Sequence, residues 1–384
     1  MDYYKLHTIS ALNVLHGRYV NLGMIAPLLQ SWKDKTNVEV LGHSVQGRPI
    51  YSCKIGHGET KILMWSQMHG NESTTTKGMM DFMNFLQTDS PFVNELLKEY
   101  CFCFIPMLNP DGAEMYTRFN ANEVDLNRDF QNLSQPESKL LMDCYHTFKP
   151  HYCYNLHDQR TIFGAGTTGN PATISFLAPS YNEAKEYDDA RLKSVAVIVK
   201  MEKTLTDFIP GQIGRFDDGF NINCAGDTFQ NLKTPTILIE AGHFPNDYER
   251  EQTRKYVFIA LLAGLKVQNE NVVVDAFLSD YLSIPQNIPN YFDFIYKNVY
   301  INYENSNLIT NFAIQFKEQL IGNEIFFNAF IVKVGELDDY FGHFEYNAQE
   351  ALYSDDFDNI PKLGEKGDFY LDKNVKIVNG LIKK

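Results

Sequence analysis

Cysteine is scarce, six in 384 residues, too few to staple a small disulfide-rich fold. No stretch approaches the ~20 unbroken apolar residues that cross a bilayer. Met1 to Val20 has no basic segment followed by an apolar one, the mark of a secretory leader. Basic charge is in deficit: 34 Lys and Arg against 48 Asp and Glu leave a net charge of −14, which repels nucleic acid and anionic lipid surfaces. Repeats, low-complexity tracts and blocks of like charge are missing, which excludes solenoids and disordered tails. Cys101 and Cys103, two apart in an apolar run, fall on one face of a strand and read as reduced core residues, which fits a cytoplasmic protein. A mature secreted form would read the same way.

What is present is a globular composition, 44% hydrophobic and 21% charged, on a chain long enough for one large and one smaller domain. Val38 to Gly56 alternates like a hairpin around Gln46-Gly47-Arg48-Pro49. Strand patterns follow at Lys61–Met68, Cys101–Leu108, Tyr152–Leu156 and Thr234–Glu240. Helical spacing fills Glu72–Leu86, the segment after a capping box at Ser134 and Glu137, Asp188–Phe208 and Asp247–Val267. Strands alternating with helices predict a three-layer α/β/α sandwich on a mostly parallel central sheet in residues 1–270. Residues 285–384, aromatic and alternating, predict a small β-rich C-terminal domain.

In an open α/β sheet, reactive groups gather at the carboxyl ends of the strands. Those ends deliver His69-Gly-Asn-Glu72, Asn109-Pro-Asp-Gly112, His157 and Glu240 in turn. Two imidazoles and one carboxylate, His69, Glu72 and His157, are the donor chemistry of a single catalytic zinc ion with a position left for water, and Glu240 remains as a base. Arg118 and Arg128 supply cations for a developing oxyanion and for a substrate carboxylate. Arg160 reads as an ordinary ion-pair partner of Asp158, and His243 as a loop residue.

The ordered set Gly47-Arg48-Pro49, His69-x-x-Glu72, Asn109-Pro-Asp-Gly112, Arg118-Phe-Asn-Ala121, Val124-Asp-Leu-Asn-Arg128, His157 and Glu240 resembles the M14 zinc carboxypeptidases. The resemblance runs from about Val38 to Gly242. It implies zinc held by His69, Glu72 and His157, Glu240 as general base, Arg118 on the scissile carbonyl, and Asn127 with Arg128 on the terminal carboxylate of a peptide or small amide substrate. The family's mobile tyrosine has no counterpart between Glu202 and Ile239, where Phe216, Phe220 and Phe229 are among the aromatics and none can donate. Two other readings stay open. One keeps the same zinc site in an aspartoacylase or succinylglutamate desuccinylase-like deacylase, or in a peptidoglycan-peptide amidase. The other is a binding protein with a vestigial pocket. Oligomeric state is not legible.

Overall fold

The computed structural model describes residues 1–268, 274–303, 306–356 and 358–383. Eight strands build the sheet of the larger unit: β1 (Asn37–His43), β2 (Pro49–Ile55), β3 (Thr60–Ser66), β4 (Tyr100–Ile105), β5 (Tyr152–Asp158), β6 (Ile174–Leu177), β7 (Ile213–Arg215) and β8 (Thr236–Ala241). Their spatial order is β1-β2-β4-β3-β5-β8-β6-β7. The four central strands β4, β3, β5 and β8 are parallel, whereas the β1–β2 hairpin joins β4 antiparallel and β6 runs antiparallel to β8. The sheet is therefore mixed around a parallel centre.

Period-2 alternation along these strands fills two separate apolar layers. Ile62 and Met64 of β3 enter one cluster and Leu63 and Trp65 the other; Phe102 and Phe104 of β4 divide in the same way from Cys103 and Ile105. The first layer is closed by α1 (Thr74–Leu86), through Met79, Phe82 and Met83, together with two long helices, Asp189–Thr206 and Glu251–Gln268. The second is closed by Pro136–Phe148, through Leu141 and Cys144, and by α2 (Ala225–Asn231), through Phe229. Both faces are covered, which is why the central strands read as continuous apolar runs.

Helix starts depart from the sequence expectation for identifiable reasons. The expected capping box does not form. Ser134 donates to Asp129, Glu137 accepts from the Val45 N–H and from Asn120, and the helix begins at Pro136, whose fixed φ suits a first turn. The last long helix begins at Glu251 rather than at Asp247, whose carboxylate accepts the Glu251 and Gln252 N–H groups. Among the described residues, no helix is long and apolar enough to cross a membrane.

The second compact unit comprises residues 160–171 and 288–384. Its main sheet has strands β9 (Tyr291–Tyr303), β10 (Ser306–Ile321), β11 (Glu324–Val334) and β12 (Phe341–Asn347) in the order β11-β10-β9-β12. A second sheet of four short strands lies between Tyr353 and Ile382. Phe294, Tyr296, Phe312, Ile314, Ile331 and Phe369 form its core. The stretch 160–171 is held within this unit by Tyr291 N–H to Ile162 O (3.0 Å) and Gln315 Nε2 to Thr161 Oγ1 (2.8 Å). The expected end of the first domain at residue 270 lies outside the described residues.

Candidate metal centre and active site

The β3 strand is followed by Gln67, whose φ of 48° turns the chain sharply into Met68 and His69. Gly70 follows because nothing larger fits: a Cβ there would sit 1.9 Å from the Gly112 carbonyl carbon. The segment it presses against is itself braced. Asn109 caps the Pro110–Met115 helix by accepting the Gly112 N–H (2.8 Å), and Asp111 accepts from Ser44, the Gln46 N–H and Arg48. The Arg48–Asp111 pair, 2.7 Å apart, links the Gly47-Arg48-Pro49 turn to Asn109-Pro-Asp-Gly112.

Three of the expected residues meet directly. Glu72 Oε1 lies 2.8 Å from His69 Nδ1, Glu72 Oε2 lies 2.8 Å from His157 Nδ1, and the two Nδ1 atoms are 3.1 Å apart. All three residues are buried, and their ligand atoms lie within 4.8 Å of one another. Donors about 2.0–2.1 Å from a tetrahedral zinc stand about 3.3 Å from each other, so these spacings fit one zinc ion. Lone pairs of two imidazoles and a carboxylate facing a common point are the chemistry of a cation site.

Asp125 is a further contributor, present in the Val124-to-Arg128 motif but given no role by the sequence. Its Oδ1 accepts from His69 Nε2 (3.1 Å), so Nδ1 is left to face inward, and its Oδ2 takes Nε and a terminal nitrogen of Arg118 at 3.1 and 3.0 Å. Burial raises the Asp125 pKa, but His69 and Arg118 outweigh it and hold the carboxyl well below the usual range. Glu72 is held low in the same way by the two histidines against its burial. Arg118 also reaches Glu72 Oε1 (3.3 Å) while keeping 40% of its side chain exposed, so one cation borders both the metal ligands and solvent.

Asp158 joins the two ligand-bearing segments. Its carboxylate accepts the Thr74 and Thr75 N–H groups at 2.8 and 3.0 Å, capping α1, and its own N–H donates to Glu72 Oε2 (3.1 Å). The Asp158 carboxylate thus serves the helix, and the expected Arg160 ion pair is not found among the described residues.

Glu240 sits directly across from His157 in the parallel β5–β8 register and across from Ser175 in β6, so it shares their face of the sheet. No hydrogen bond to its carboxyl is found among the described residues. Burial, reinforced by the nearby Glu72 and Asp158 charges, pushes its pKa well above the usual carboxylate range. Asn127 and Arg128 lie on the single turn Leu126–Arg128 that follows Asp125, and they contact the Cys224–Ala225 segment rather than the metal ligands. Of the aromatics that stand where a mobile tyrosine is expected, Phe229 is core, stacked on Tyr145 with centroids 4.4 Å apart. His243 is buried against the Tyr248 ring and is not part of the metal cluster.

Residues 23–160 match the family model described as zinc carboxypeptidase. Carboxypeptidase 2 of Trichophyton rubrum is 27% identical over 113 residues, covering 29% of this chain and 20% of that protein. Carboxypeptidase SOL1 of Arabidopsis thaliana is 30% identical over 121 residues, covering 27% and 25% respectively. The matched stretch thus spans about a fifth to a quarter of the length of these relatives. A metallo-carboxypeptidase structure from Burkholderia cenocepacia superposes with a TM-score of 0.53 at 17% identity, covering 67% of this chain and 70% of that one. The carboxypeptidase A of Helicoverpa armigera gives a TM-score of 0.53 at 16% identity, covering 69% and 79%. The segment that matches the zinc carboxypeptidase model carries His69, Glu72 and His157, and the larger unit shares the fold of solved carboxypeptidases.

Proposed function

We propose that the protein is a zinc-dependent carboxypeptidase that hydrolyses the last amide bond of a peptide bearing a free terminal carboxylate. The observation that carries this reading is the convergence of His69 Nδ1, Glu72 and His157 Nδ1 beside a carboxyl, Glu240, whose affinity for protons is raised. A zinc ion held by His69, Glu72 and His157 would supply Lewis acidity and a water whose pKa falls to about 7. Glu240, raised in pKa and free of hydrogen-bond partners among the described residues, takes a proton from the attacking water and returns it to the leaving amine. Arg118, already turned toward Glu72, donates to the oxygen that gains charge as the carbonyl is attacked. Asn127 and Arg128 grip the substrate's terminal carboxylate and so set which bond reaches the centre.

Three substrates test the reading: a blocked peptide with a free C-terminus, the same peptide amidated, and an N-acyl amino acid. The expected result is hydrolysis of the free acid, with the amidated peptide at least about tenfold slower in kcat/KM, as follows from losing a charge-assisted pair. Equal rates on the two peptides, or turnover of the N-acyl amino acid alone, would remove the carboxypeptidase assignment.

A further inference from the structure

We propose that Cys224 and Asp227 are positioning residues for Arg128, holding its guanidinium ready for the substrate's terminal carboxylate. This rests on the carboxypeptidase reading of Arg128 and adds two residues to it.

An exposed arginine ordinarily samples many rotamers, and fixing one costs side-chain entropy. Here one terminal nitrogen of Arg128 is fixed twice, donating to the Asn127 carbonyl at 2.7 Å and to Cys224 Sγ at 3.2 Å. Asp227, three residues on in the first turn of α2, lies close enough for its charge to act on both that thiol and Arg128. Asp227 is only 8% exposed and makes no ion pair among the described residues. A buried acid without a salt bridge is costly; the Asn221 N–H braces Asp227, and the nearby Cys224 thiol and Arg128 charge offset part of that cost. Burial pushes its pKa up to about 7, against the neighbouring thiol and the Arg191 and Arg128 charges, which lower it.

Asn127 is docked on the same turn, its Oδ1 accepting the Ala225 N–H at 2.9 Å. Both residues read as the carboxylate grip are therefore tethered to the segment Cys224–Asp227. The contacts to Asn127 and Cys224 use one nitrogen of the Arg128 fork, and its other two have no partner among the described residues. That leaves an edge able to take a carboxylate in a forked pair.

The test uses the zinc-loaded full chain and a blocked dipeptide as free acid and as amide. Cys224→Ala and Asp227→Asn should each raise KM for the free acid about tenfold while kcat stays within about threefold, the pattern of lost ground-state binding. Zinc content and melting temperature should match wild type, and Cys224→Ser, which keeps a hydroxyl bridge, should restore most of the loss. In an Arg128→Ala background, adding Cys224→Ala should change KM no further, because the effect passes through Arg128. Wild-type KM in both single variants overturns the proposal, as does an undiminished Cys224→Ala effect in the Arg128→Ala background. Wild-type enzyme that cleaves acid and amide equally sinks the carboxypeptidase reading and this proposal together, whereas discrimination by wild type with silent variants sinks the proposal alone.

Discussion

Removing the carboxylate of Asp125 should weaken zinc binding and turnover by separable amounts. One oxygen orients His69 through Nε2 at 3.1 Å, and the other holds Arg118 with two bonds at 3.0 and 3.1 Å. Losing the group that orients a ligating imidazole typically costs 10- to 100-fold in metal affinity, which is about 1.4–2.8 kcal/mol. Asp125→Ala should therefore raise the zinc Kd by roughly that factor. At saturating zinc its kcat should still fall, by less than the roughly 10²–10³-fold expected for deleting an oxyanion donor outright, because Arg118 is loosened and not removed. Asp125→Asn separates the two effects: an amide oxygen can still accept from His69, but the charge that anchors Arg118 is gone. Zinc competition against a chromogenic chelator, followed by kinetics on fully loaded protein, measures both. A zinc Kd in Asp125→Ala within about twofold of wild type would refute the orienting role.

Three further outcomes follow from the same geometry. Glu240→Gln should keep its zinc and lose about 10²–10⁴-fold in kcat, and a fully active variant would mean another group is the base. Gly70→Ala drives a methyl against the Gly112 backbone, which cannot swing aside as a side chain would. It should cost about 1–3 kcal/mol of stability, read by denaturant unfolding, and an unchanged midpoint would contradict the close approach. Asp81, fully buried, pairs with Arg254 and also takes the Leu12 N–H. Burial raises its pKa, but these partners and His7 outweigh it and hold the carboxyl low, so its contribution is complete above the unfolded value near 3.9 and fades as pH falls through the folded one. Asp81→Asn should then cost about 3–5 kcal/mol at pH 7 and much less under acid, and equal losses at both pH values would break the argument.

The meeting of His69, Glu72 and His157 was legible because a parallel sheet sends its strand ends to one rim, and Glu240 lies beside His157 in register. Cysteine chemistry was legible in part: all six are free, although Cys101 is less buried than its neighbour Cys103. Asp125 could be read as part of a motif but not as the group behind His69, because that contact joins positions 56 residues apart. The same holds for Asp158: an acid beside Arg160 in sequence suggests an ion pair, and only the packing of β5 against α1 shows its carboxylate serving the helix. The capping box failed because its two members bond elsewhere: Ser134 donates to Asp129 five residues back, and Glu137 accepts from the Val45 N–H and from Asn120. Local pattern identifies which atoms can bond, and long-range packing chooses among the candidates.

The Asp158 clasp has a consequence for how the protein acquires its ion. With its carboxylate on the first turn of α1 and its N–H on Glu72, it pins the His157 strand to the Glu72 segment through bonds that need no metal. A chelated sample should therefore keep its native fold and reload without a refolding lag. Its gain in melting temperature on adding zinc should follow simple mass action, unlike small zinc-dependent domains that unravel when stripped.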